Sequence, residues 1–259
     1  MLKWLERVDP STNHNRVAKT RHDNTGEWLT GGDDWKCWID GNGDHKSQFL
    51  WIYGIPGAGK TFLACSMIKN VSSHVKAHGK AHGKTQLLAS AYYYCYHGRK
   101  SDEKDEAMNL LRSVISQLCA TSKKIPVILN DRFDSRHQPD LSDLLDYLEA
   151  VLTGFSTAYV VVDAVDESDP RSTLIDVLSR LASETRFAKI RLAATSRDYP
   201  EIRKAFEPRS VSINMANSKV TDDIRKYVTI RLKDERCQGW PKKLRDKIVR
   251  EVPTNAQGM

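Results

Sequence analysis

Eight consecutive residues, Gly54-Ile55-Pro56-Gly57-Ala58-Gly59-Lys60-Thr61, fill every fixed position of the pattern GxxxxGK(S/T). The five residues before them, Phe49-Leu50-Trp51-Ile52-Tyr53, form a short run of aromatic and branched apolar side chains, which reads as a buried strand. Phe62, Leu63, Met67 and Ile68 then follow at helical spacing. Strand, glycine loop and helix therefore come in the order that a phosphate-binding loop needs, and this commits the chain to an α/β architecture.

The residue types follow from the chemistry of polyphosphate. A loop can surround several negative charges with backbone N–H groups only where few Cβ atoms stand in the way, so Gly54, Gly57 and Gly59 clear the approach. A helix beginning near Lys60 aims its unpaired amides and positive dipole end at the same anion. Lys60 would reach the β- and γ-phosphates and the Thr61 hydroxyl would ligate Mg²⁺. The candidate nucleotide site is thus Gly54, Ile55, Pro56, Gly57, Ala58, Gly59, Lys60, Thr61 and Phe62.

A second chemical element lies at Ala158-Tyr159-Val160-Val161-Val162-Asp163-Ala164-Val165-Asp166-Glu167. Its apolar half reads as a buried parallel strand, and acids occur only at its C-terminal end, where α/β sheets place their ligands. Asp163 is assigned to the metal and Asp166, or failing it Glu167, to orienting the attacking water. Alternatively, one of these carboxylates caps the helix that starts near Pro170. A further strand, Ile190–Ser196, ends at Arg197, which either senses the γ-phosphate or makes a surface salt bridge.

Around these motifs the chain reads as a mostly parallel five-stranded sheet flanked by helices, with strands also at residues 87–96 and 210–215. The strand at 87–96 is apolar enough to be buried on both faces. Amphipathic helices are expected over 102–118, from Asp140 to Gly154, over 224–232 behind a cap at Val220-Thr221-Asp222-Asp223, and over 241–252. A tandem KAHG repeat at 76–84 reads as a glycine-containing solvated loop rather than a metal-binding histidine pair. Residues 1–45 are polar, with Trp4, Trp28, Trp35 and Trp38 as candidate anchors, and Thr25-Gly26-Glu27-Trp28 either covers a nucleotide base or belongs to a plain linker.

The net charge of +7 is spread along the chain without a Lys/Arg block, so no dedicated nucleic-acid surface is expected. Five scattered cysteines, none in a CxxC pair, read as free thiols in a reducing compartment rather than a zinc site. No stretch nears the roughly 18 apolar residues of a membrane span, and no signal peptide opens the chain, so a cytoplasmic protein with no membrane partner is expected.

Taken together, GIPGAGKT, the extended acidic motif VVVDAVDES and TSR at the next strand end resemble the NACHT nucleoside triphosphatases of the STAND class of signalling switches. MLKWLERVDPSTNHNR, RHDNTGEWL, AYYYC and the terminal NAQGM are similar to fungal NOD-like receptors of the heterokaryon-incompatibility type, proteins of innate immunity. The resemblance implies a P-loop NTPase domain over 46–216, preceded by a segment (1–45) packed on it and followed at 217–259 by the start of a helical lid domain, cut short. It further implies an ATP- or GTP-binding switch with Mg²⁺ and slow hydrolysis, homo-oligomeric in the triphosphate state. An upstream effector and downstream repeats are expected in full-length relatives, and Thr25 and Gly26 near the base. Two other readings of the residues are a small-molecule kinase on the same fold and an oligomerisation module without turnover.

Overall fold

The computed structural model describes residues 5, 9–20, 26–81, 87–96, 105–122, 125–129 and 138–256. Trp4, Thr25, His82, Gly83 and the terminal residues 257–259 lie outside them. Five strands, β1 (Phe49–Tyr53), β2 (Leu88–Tyr94), β3 (Thr157–Asp163), β4 (Ile190–Ser196) and β5 (Val211–Asn214), form one sheet in the order β2-β3-β4-β1-β5. Every pairing is parallel. The sheet is therefore the α/β arrangement expected from the sequence, with no antiparallel member.

Eleven described helices surround it: α1 (Ser11–Thr20), α2 (Glu27–Thr30), α3 (Asp33–Asp40), α4 (Lys60–Ala81), α5 (Glu106–Thr121), α6 (Leu141–Leu152), α7 (Arg171–Ser183), α8 (Pro200–Phe206), α9 (Ser218–Arg231), α10 (Glu235–Gln238) and α11 (Lys242–Asn255). The period-two alternation of β1 splits its side chains between two cores. Phe49 and Trp51 join the core built by α5, α6, α7 and α8, while Leu50 and Ile52 join the core built by α2, α3, α4 and α9. Both faces of the central strands are covered, which is why β1, β3 and β4 read as nearly continuous apolar runs.

The tryptophans of α3 fix the N-terminal segment onto the second face. Trp35 and Trp38 are fully buried, Trp35 donates from Nε1 to Asn70 Oδ1 (3.0 Å) and Trp38 donates from Nε1 to the Leu192 carbonyl (2.9 Å). Each indole buries a large apolar area and still satisfies its one donor, so no unpaired polar group offsets the burial.

Four local expectations differ from the structure. α4 continues to Ala81, so the first KAHG copy is helical: the cost of Gly79, about 1 kcal/mol, is borne at the far end of a helix whose first three turns are anchored in the core. β2 is an edge strand with alternating burial, covered fully on one face only. α9 starts at Ser218, not Ile224, because the Asn217 side chain accepts from the Val220 N–H (3.0 Å) and Asp222-Asp223 fall inside the first turns. Finally, no side chain caps α7, so none of the acids Asp163, Asp166 and Glu167 serves as its N-cap.

All five cysteines are free, three of them buried. Among the described residues, no helix is long and apolar enough to cross a membrane.

Candidate functional site

The glycine loop leaves β1 and turns into α4. Gly57 and Gly59 sit at φ +83° and +82°, which only glycine adopts without strain. Gly54 has a different reason, since a Cβ there would lie 2.7 Å from Met215 Cβ. The Gly54 N–H donates to the Ser196 carbonyl (3.3 Å), so the loop is registered against the tip of β4. Lys60, the first residue of α4, folds its ammonium back over the loop and donates to the carbonyls of Gly54 and Ile55, both at 2.8 Å. Burial pulls this ammonium below its ordinary pKa, while Asp166 and Asp163 push it back up.

β3 delivers Asp163 to the same place. Its carboxylate is 3 % exposed, accepts from the Thr195 hydroxyl (Oγ1 to Oδ1, 2.5 Å), and is also hydrogen-bonded by the Thr61 side chain. Burial pushes the Asp163 carboxyl up to about 6 even though both hydroxyls favour its charged form. The next residue, Ala164, adopts φ +58°, the one positive φ among described non-glycine residues. That turn brings the 3-10 turn Val165–Glu167 back toward the loop.

Asp166 is engaged on both carboxylate oxygens by one residue. The Arg197 N–H donates to Oδ1 (2.8 Å) and the Arg197 guanidinium pairs through Nε with Oδ2 (3.1 Å). Arg171 closes the arrangement from behind, donating from Nε and Nη2 to the Asp166 carbonyl (3.1 and 2.8 Å). Arg197 is thus in an ion pair, but with an almost fully buried partner inside the cleft rather than with an acid on the open surface. The Glu167 side chain lines the same cleft and has no hydrogen bond or ion pair to another described residue.

These groups enclose a polar cavity of about 260 Å³ lined by Pro56, Gly57, Gly59, Lys60, Thr61, Phe62, Asp163, Ala164, Asp166, Glu167, Thr195 and Arg197. Next to it is an apolar cavity of about 410 Å³, sharing Gly57, Gly59 and Phe62 with the first, and adding Ala58, Trp28, Leu63, Met215, Tyr227 and Val252. Gly26 lies on its wall at φ +87°, packed so closely that a Cβ would stand 2.8 Å from Leu63 Cδ1. The Gly26 N–H donates to Asp223 Oδ2 (2.8 Å), which joins the segment before α2 to α9 across the cavity mouth.

The donor set fits a magnesium–triphosphate pair. Among the described residues no three His, Cys, Asp or Glu side chains could hold a metal by themselves. One hydroxyl and one carboxylate in contact, Thr61 and Asp163, is the protein share that Mg²⁺ takes when phosphates and water complete its shell. The sequence reading missed Thr195, Met215, Asp223, Tyr227 and Val252. Thr195 carried a readable signal, a polar residue at the C-terminal end of a parallel strand. The other four gave none: Met215 follows β5 and meets Gly54 across the sheet, and Asp223, Tyr227 and Val252 reach the site through tertiary packing of the C-terminal helices.

A family model described as Nephrocystin 3, N-terminal, matches residues 24–197, which spans the loop, the acidic motif and Arg197. No curated protein sequence matches the chain. Among solved structures, the Cdc6p protein of Pyrobaculum aerophilum superposes with a TM-score of 0.52 at 15% identity, over 87% of this chain and 54% of that one. The Orc1 protein of Aeropyrum pernix, solved in complex with DNA, gives a TM-score of 0.48 at 16% identity, over 90% of this chain and 52% of that one. The chain thus spans about half the length of the solved proteins it resembles, and the likeness to Cdc6p is one of fold.

Proposed function

This chain belongs to the Nephrocystin 3, N-terminal, family of P-loop NTPase regions, and from that premise we propose that it is a Mg²⁺-dependent nucleoside-triphosphate switch domain. Its nearest functional class in this reading is the NACHT group of STAND proteins, of the fungal NOD-like receptor kind, with slow hydrolysis and oligomerisation in the triphosphate state. The domain limits of 1–45, 46–216 and 217–259 belong to the same proposal. The observation that carries it is the continuity of two cavities through Gly57, Gly59 and Phe62, one apolar and base-sized, the other holding an ammonium, a guanidinium and three carboxylates.

In this reading the amides of the glycine loop and the Lys60 ammonium hold the phosphates. Thr61 and Asp163 would hold Mg²⁺, which supplies charge neutralisation to the β- and γ-phosphate oxygens. Glu167, whose carboxylate makes no hydrogen bond or ion pair among the described residues, orients water, while Asp166 anchors Arg197 beside the terminal phosphate. Trp28, Met215, Tyr227 and Val252 exclude water from the base.

Titration with fluorescent ATP and GTP analogues tests this. Wild type should bind one of them in a Mg²⁺-dependent way, and Lys60→Ala should weaken binding roughly 10–100-fold, the loss of one or two charge-assisted hydrogen bonds. Equal binding by wild type and Lys60→Ala would sink the proposal.

A further inference from the structure

The tip of β4 touches two acids at the end of β3 and the start of the glycine loop through consecutive residues: Thr195 reaches Asp163 and Ala164, the Ser196 carbonyl receives Gly54, and Arg197 holds Asp166. Within this run we propose that Thr195 is a positioning residue for the metal carboxylate. It sets the orientation of Asp163 and the turn at Ala164, and through them the affinity of the site for Mg²⁺. The inference rests on the nucleotide reading above and adds to it a residue that acts on the metal through Asp163.

The argument is one of hydrogen-bond polarity. A hydroxyl has one hydrogen and two acceptor sites. The Ala164 N–H can only donate, and it donates to Thr195 Oγ1 at 3.0 Å. The Thr195 hydrogen is left for Asp163 Oδ1, at 2.5 Å. One side chain, with no exposure to solvent, therefore fixes the carboxylate from one side and the left-handed turn from the other. The Ala164 turn would otherwise leave a strained residue with an unpaired N–H at the edge of a buried cleft. For packing alone, valine has the same shape as threonine and a better fit to a buried strand. What the hydroxyl adds is direction, and hydrogen-bond partners of metal ligands of this kind change metal affinity roughly 10–100-fold when removed.

The test uses the full chain, with binding of mant-ATP and mant-GTP followed as Mg²⁺ is raised from EDTA-treated buffer. Thr195→Val should keep the Mg²⁺-free affinity within about twofold and raise the Mg²⁺ concentration at half-saturation by roughly 10–100-fold. Thr195→Ser, which restores the hydroxyl, should return the curve to wild type. A Thr195→Val curve that overlays wild type overturns the inference. So does an equal loss with and without Mg²⁺, the mark of a merely structural role, or a serine variant that behaves like valine. If Thr195→Val does not fold, Thr195→Cys, with its weak thiol donor, is read by the same criteria. A wild type that binds neither analogue overturns the nucleotide reading and this inference with it, whereas a Mg²⁺-dependent wild type matched by Thr195→Val overturns this inference alone.

Discussion

Asp163 shows what the site asks of a single residue. Its folded pKa of about 6 lies above the unfolded carboxyl value near 4, so the folded protein holds the extra proton between these two values. The sign is that of a destabilised carboxylate: the folded state is favoured below pH ~4, and this advantage is lost as pH rises through about 6. Asp163→Asn cannot titrate. In metal-free buffer its stability relative to wild type should therefore climb between pH 4 and pH 7, by up to about 3 kcal/mol, whatever its fixed offset. Urea denaturation of both proteins at the two pH values measures the climb, and a constant difference would refute it. The same variant should lose the Mg²⁺-dependent part of nucleotide binding, as the proposed role of Asp163 in holding the cation requires. The presence of Asp163 and Lys60 at strand and helix ends was legible from composition and spacing alone. Thr195 was legible only as a polar residue at the end of an apolar strand; its hydrogen bond to Asp163 was not, because that contact joins neighbouring strands far apart in sequence.

At the scale of elements, what the sequence made readable depends on how much of the decision is local. β1, β3 and β4 were legible because burial on both faces leaves nearly continuous apolar runs, and α6 because Asp140 and Asp143 form a reciprocal capping box. β2 was misjudged on one face, since apolar content cannot distinguish an edge strand from a central one. The start of α9 was misplaced because two acids advertise a cap that Asn217 supplies one turn earlier. That difference is measurable. Asn217→Ala removes the acceptor of the Val220 N–H and should cost about 0.5–2 kcal/mol, whereas Asp222→Ala, inside the helix and solvent-facing, should stay within about 0.5 kcal/mol. Chemical denaturation of the two variants separates the two placements of the helix start. The outcome matters for the site because α9 presents Asp223 and Tyr227 to the apolar cavity.

For the whole molecule, the apolar cavity is walled by three separate stretches of chain: Gly26 and Trp28 before the sheet, the glycine loop with Phe62, and Asp223, Tyr227 and Val252 from the C-terminal helices. On the proposed reading a base held there would touch all three, which would link nucleotide binding thermodynamically to the attachment of the C-terminal helices. Among the described residues the Gly26–Asp223 hydrogen bond is the direct polar tie between the outer two stretches, and it exists without ligand. Hydrogen exchange should therefore slow on adding Mg²⁺–triphosphate not only in residues 54–62 but also in 26–30 and 218–231, regions with few buried contacts of their own. Asp223→Ala should keep the slowing at 54–62 and lose most of it at 26–30 and 218–231, with nucleotide affinity down by about tenfold or less. Slowing confined to the glycine loop in wild type would mean that the C-terminal helices ride beside the nucleotide without sensing it. A switch requires the opposite, because a ligand moves an equilibrium between arrangements only as far as it binds one of them better than the other.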